Sequence, residues 1–260
     1  MLRISFPEAA RIGVFQQMQD PKFLLPRNVF VCFPGDHCVF LDLRRDEYWC
    51  LSRKDAVPLG GMVAGWPVGS SKDRKCRTHN ENDIDARVTE LLEAGLLTTD
   101  RNGGKWAQLP SAQSPKRAVN RECGEEWESQ AIGPGDIAHF SAATAHAALR
   151  LRWSHIENTV HGVACRKRKR AGKAGNADTR KTVDLVSRFV RLRPWFPRPY
   201  LCLFDSLALI QFLARHDVYP TWVFGVRTKP FNAHCWVQLG DLLLNDSLER
   251  VRSFTPIMAI

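Results

Sequence analysis

With 260 residues, 44% of them hydrophobic and 10% aromatic, the chain is long enough for two modest cores and too apolar for a disordered polymer. Its formal net charge of +10 is unevenly spread, since the part up to residue 110 holds 15 Lys/Arg against 14 Asp/Glu and the remainder holds 22 against 13. Eight cysteines without a Cys-x-x-Cys pair argue against a zinc ribbon or thioredoxin-like motif, no Gly-x-x-x-x-Gly-Lys-Ser/Thr run marks an ATP site, and no apolar stretch reaches the roughly 20 residues that cross a bilayer.

No metal, cofactor or membrane insertion is therefore expected, and Cys32, Cys38, Cys50, Cys76, Cys123 and Cys165 read as incidental thiols of a reducing, cytoplasmic setting. Residues 1–27 form an N-terminal extension. Asn28–Phe33, His37–Leu43 and Glu47–Leu51 alternate as three strands around Pro34-Gly35-Asp36 and Arg44-Arg45-Asp46, a small antiparallel meander. Gly- and Ser-containing residues 65–82 read as a loop. Ile84, Val88, Leu91, Leu92 and Leu96 then repeat at helical spacing, with Asn82 or Asp83 as cap and Gly95 as terminator. A groove between the Tyr48–Leu51 strand and the Asp83–Leu92 helix is the expected binding surface, drawing on Tyr48, Trp49, Cys50, Leu51, Val88, Leu91 and Leu92. The competing expectation is that these side chains simply fill the core.

Residues 107–135, rich in Pro, Ser and Gly, read as a linker between a 28–106 domain and a 136–260 domain. One long helix is expected from Gly135-Asp136 to about Val163 and a second from Thr179 to Leu192. Between them the run Arg166-Lys167-Arg168-Lys169-Arg170 and the Gly/Ala stretch after it read as a mobile, solvated connector. Without interleaved aromatics they do not make a nucleic-acid site. His139, His146, His155 and His161 lack a carboxylate or cysteine to complete a metal site.

The densest signal lies in Cys202–Asp246. Leu203, Leu207, Ile210 and Ala214 predict a helix, and Pro197 and Pro199 keep it from starting earlier, so Cys202 falls in its first turn, where the helix dipole favours a thiolate. Thr221–Arg227, Ala233–Leu239 and Leu242–Asp246 read as strands. If the last turn is centred on Gly240, so that Leu239 faces Asp241, then His234 faces Asp246. This requires an odd-residue or bulged turn, because a two-residue turn puts the pair on opposite faces. Cys202 as nucleophile, His234 as base and Asp246 as orienting acid make a cysteine-protease triad, with the Cys202 N–H as one oxyanion donor. Transfer of the acyl group to an amine, or a binding protein without catalysis, also fits these residues.

Cys202-Leu203, Ser206–Leu209, Phe224-Gly225-Val226, Pro230-Phe231, Ala233-His234, Trp236-Val237 and Leu244-Asn245-Asp246 resemble the lasso-peptide biosynthesis B proteins. The resemblance departs from the usual pattern at Cys235, where a small residue is common, and at Asp205. Val39–Leu43, Asp46–Leu51 and Glu90–Leu97 resemble, less specifically, the PqqD-like precursor-recognition domain, a winged-helix-like unit. Together these resemblances imply an α+β chain in which the N-terminal recognition domain precedes a papain- and transglutaminase-like cysteine protease. The leader of a ribosomally made precursor adds as a strand to the first, and the second removes it. An asparagine-synthetase-like cyclase then closes the macrolactam in the family. A winged helix also raises DNA binding, which the near-neutral N-terminal half argues against.

Overall fold

The computed structural model describes residues 21–67, 81–119, 131–171 and 178–260. Most of the expected N-terminal extension and of the 65–82 loop, residues 120–130 of the expected linker, residues 172–177 of the expected connector, the Asn82 side chain, Cys76 and Cys123 lie outside the described residues.

Alternation builds the first sheet. β1 (Leu25–Pro26), β2 (Val29–Cys32), β3 (His37–Asp42) and β4 (Glu47–Ser52) follow one another, and β2-β3-β4 form the antiparallel meander, with β3 central and β4 at an edge. Val29, Val31, Cys38 and Phe40 face one core with Leu59, Trp66, Leu91 and Leu96. Their neighbours Cys32, Val39 and Leu41 face the other way and join the core of the C-terminal half. β3 is thus buried on both faces, as a central strand between two apolar layers must be. The turn after it is held by the buried carboxylate of Asp42, which accepts from Asn28 Nδ2 (2.6 Å), Arg44 N (2.8 Å) and Arg45 Nη1 (3.0 Å). Arg45 Nη1 also donates to Ala94 O (2.7 Å), tying the turn to the end of α2 (Glu81–Glu93), where Gly95 takes a left-handed φ of +70°. Short α1 (Arg53–Ala56) follows β4, and β5 (Gly104–Lys105) pairs with β1.

The C-terminal half wraps an apolar helix. It contains β6 (Arg117–Ala118), α3 (Pro134–Trp153), α4 (Ile156–Ala171), α5 (Thr179–Leu192), α6 (Cys202–Ala214), β7 (Thr221–Thr228), β8 (Phe231–Leu239), β9 (Leu242–Leu243), α7 (Leu248–Arg252) and β10 (Thr255–Ala259). The sheet order is β10-β7-β8-β9-β6, antiparallel except for β6 on β9. Residues Phe204 and Ser206–Leu213 of α6 are all buried, so the helix has no solvated face and lies between the sheet and α3 and α5.

Three expectations are corrected here. The single long helix is two, because Ser154 leaves helical geometry at φ −125° and ψ 140°. The basic run is the last part of α4 rather than a connector: Arg166 hydrogen-bonds Gln211, and Lys167 Nζ donates to Thr221 Oγ1 (2.9 Å) and Ile260 O (3.3 Å), while Arg168, Lys169 and Arg170 are exposed to solvent as expected. Lys167 keeps its stem half-buried while its head reaches acceptors at the end of the sheet, so the run can begin on packed surface and finish in water. The described part of the expected linker is tied down as well. Ala107 N donates to Ala64 O (2.8 Å), Arg117–Ala118 is a sheet strand, and Val119 is buried in the core.

Candidate active site

The segment entering α6 is rich in proline and cannot satisfy itself with helical hydrogen bonds. It is organised around Arg193, which is 2% exposed. The guanidinium bonds the Asp205 carboxylate and donates to Phe196 O (3.2 Å), Arg198 O (3.1 Å) and Pro199 O (3.0 Å), with the Tyr200 ring centre 4.4 Å away. Asp205 in turn accepts from Leu201 N (2.7 Å). A buried arginine with an acceptor on each of its three guanidinium nitrogens sets the direction in which the chain enters α6. Arg193 escaped the sequence reading, and the unusual acid at Asp205 was its only visible trace.

Cys202 is the first residue of α6, after an extended Leu201, so its N–H lies among the donors that have no helical acceptor. Its side chain opens into a cavity of about 260 Å³ lined also by His234, Cys235, Asn245 and Asp246, with Phe189, Val190 and Leu244 as apolar wall. His234 projects from β8 opposite Gly225 of β7, and a Cβ on Gly225 would come within 2.8 Å of the Trp236 ring. Glycine therefore makes room for the indole, which stacks 6.2 Å from the imidazole, while Phe254 lies 5.1 Å away on its other contact. His234 Nε2 hydrogen-bonds Asp246 Oδ2, leaving Nδ1 for the thiol.

The expected turn does not form. Leu239 pairs with Leu242 and Gln238 with Leu243, so Gly240-Asp241 is a two-residue turn, with Gly240 at φ +59°. Continued, that register sets Asp246 opposite Cys235, on the wrong face for His234. The acid still arrives because regular pairing stops at Leu243 and the chain bends through residues 244–246.

Electrostatics separate the two thiols at this site. Hydrogen bonding by the Cys235 thiol and then by His234, aided by the Cys235 peptide N–H, holds the Cys202 thiol down at about 4 despite burial. Burial pushes the Cys235 thiol well above its usual range, so it stays a neutral donor, with Sγ 3.8 Å from Ser206 Oγ. Burial alone lowers His234, but its hydrogen bonds to Asp246 and Cys202 outweigh that and raise it to about 9. The arrangement holds a thiolate beside an imidazolium, the reactive form of a cysteine nucleophile. Cys235, noted in the sequence only as a departure, is one of its supports.

The residues expected at the N-terminal groove divide. Trp49 is 37% exposed on edge strand β4, and Cys50 is exposed beside it. Leu51 and Leu92 pack at the border of the N-terminal core, whereas Val88 and Leu91 are buried inside it and fill it. Tyr48 turns to the opposite side and packs on Phe231, ring centres 5.5 Å apart, at the start of the strand that carries His234. The hollow beside α2 is bounded by Asp55, Pro58 and Leu59 rather than by β4. Among the described residues no His, Cys, Asp or Glu cluster could hold a metal ion, and no helix is long and apolar enough to cross a membrane.

A model of the Transglutaminase-like superfamily matches residues 142–259. The Microcin J25-processing protein McjB of Escherichia coli is 41% identical over 46 residues, which are 18% of this chain and 22% of that protein. The similarity thus spans about a fifth of that relative. No solved structure matches the chain. The C-terminal half, with α6, β8 and the cavity between them, is a transglutaminase-like domain within a mixed helix-and-sheet chain.

Proposed function

We propose that this protein is a cysteine peptidase that binds the leader of a lasso precursor peptide and hydrolyses the leader–core bond before macrolactam formation. The observation that carries the reading is Cys202 at the start of α6, sharing one cavity with a His234 that Asp246 holds by its far nitrogen. In this mechanism the Cys202 thiolate attacks the scissile carbonyl. His234 gives its proton to the departing core amine and then takes one from water, which releases the leader carboxylate from the thioester. Asp246 keeps the imidazole oriented and stabilises its charge. The Cys202 N–H is one donor to the oxyanion.

Leader capture is assigned to a PqqD-like N-terminal domain. Support comes from β4, whose outer edge has no strand partner among the described residues and whose Trp49 and Cys50 are open. Strand addition there uses main-chain hydrogen bonds for affinity. Holding the leader on the same chain raises the effective substrate concentration at Cys202. An asparagine-synthetase-like cyclase is the partner that consumes the freed amine. Cleavage of the precursor in ¹⁸O-labelled water tests the chemistry: hydrolysis puts one heavy oxygen into the leader's new carboxylate and yields two fragments. A longer, amine-linked adduct with no such label would mean transglutaminase-type transfer instead.

A further inference from the structure

The bend that brings Asp246 to His234 has an identifiable cause one residue upstream. Leu244 N donates to Val237 O at 2.9 Å, as the next rung of the hairpin should. The return rung is missing: Val237 N donates instead to the side-chain Oδ1 of Asn245 at 2.8 Å. Asn245 Nδ2 donates to Ser206 Oγ at 2.9 Å, on α6 one turn beyond Cys202, and Ser206 Oγ donates to Cys235 O at 3.4 Å. One amide therefore spans the nucleophile's helix and the base's strand. It takes the place of a main-chain carbonyl, so β9 can end without orphaning a buried N–H.

We infer that Asn245 is a positioning residue for the reaction, a side-chain clip that ends β9 and turns the chain so that Asp246, rather than its neighbour, meets His234. The inference rests on the triad reading above. It explains how a two-residue turn and a working His–Asp pair coexist, which backbone pairing alone forbids. Asn is suited to the place because its amide offers one acceptor and two donors on a short stem. Ala offers none of these. Asp keeps the acceptor for Val237 N and can accept from the Ser206 hydroxyl.

The test reads Cys202 directly. Iodoacetamide labelling of Cys202, followed by peptide mass spectrometry across pH, reports how well His234 holds the thiolate, whatever the natural substrate is. In Asn245→Ala the acid limb of labelling should move towards that of an ordinary thiol. Labelling near pH 6 should slow by about ten-fold or more, while labelling above about pH 9 changes little. Asn245→Asp should restore most of the acid-side reactivity. A merely structural role would lower labelling in proportion to unfolded protein and leave the profile's shape unchanged, so an unshifted Asn245→Ala profile overturns the proposal. If Asn245→Ala does not fold, Ser206→Ala removes the other end of the clip and should shift the same limb by a smaller amount; no shift there overturns it too. Wild-type protein in which Cys202 already titrates as an ordinary thiol would defeat the triad reading itself, a different result from failure of the clip.

Discussion

The two halves of the molecule use polar groups in opposite ways. In the C-terminal half, polar side chains are drawn inward and committed to named partners: Arg193 to Asp205 and three carbonyls, Asn245 to Val237 and Ser206, and His234 to Asp246. In the N-terminal half the buried carboxylate of Asp42 holds a turn, and the sheet edge left open on β4 is main chain. A half with the proposed task of performing chemistry must fix side chains to within fractions of an ångström. A half with the proposed task of recognising an extended peptide needs an unpaired edge and little else. The two share a core through Cys32, Val39 and Leu41, so the proposed recognition and the proposed chemistry would sit on one continuous packing surface.

This contrast can be broken most severely at the nucleophile. Cys202→Ala should abolish processing of the precursor and leave leader affinity, read by fluorescence polarisation, unchanged. Asp246→Asn should slow cleavage by about 10² to 10⁴-fold, because the imidazole loses its orienting acceptor. The wild-type rate of cleavage should rise as pH passes about 4, where the Cys202 thiolate forms, and fall as pH passes about 9, where the His234 imidazolium is lost. A rate that rises only above pH 8, as for a free thiol, would oppose the ion pair.

Changes in the N-terminal half should act on stability and affinity instead. Leu91→Ala removes a buried core side chain and should cost about 2–5 kcal/mol in thermal or denaturant unfolding. Trp49→Ala should weaken leader binding by about 1–2 kcal/mol while Cys202 alkylation stays at the wild-type rate. The smallest effect is expected where the halves meet. A double-mutant cycle on Tyr48→Ala and Phe231→Ala should give a coupling of about 0.5–1.5 kcal/mol in stability. Zero coupling would mean that this aromatic contact does not join the halves in solution.

Much of the candidate site was legible in the sequence because it depends on residue types in a fixed order of elements. Cys202 at a helix start, His234 in a strand and Asp246 beyond a turn are visible from prolines, periodicity and glycine alone, and the three-strand meander was visible from alternation. The register was not. Pairing of Leu239 with Leu242 depends on turn geometry, and the exit from it depends on one Asn amide bonding across two elements. Arg193 left a trace only in the unusual acid at Asp205, since nothing local marks an arginine whose other partners are carbonyls of the following loop. The start of the basic run misled for the converse reason: the acceptors of Arg166 and Lys167, which are Gln211, Thr221 and the Ile260 carbonyl, are distant in sequence. The recognition proposed for the main-chain edge of β4 would leave still less trace, because any strand has the same hydrogen-bonding groups.

The most direct test of the account is mass spectrometry of the precursor peptide encoded nearest this protein, incubated in parallel with wild type and with Cys202→Ala. A single cut at the leader–core junction in the first tube and intact precursor in the second is the predicted result. Cutting that persists in the variant, or intact precursor in both tubes despite measured leader binding, would contradict it.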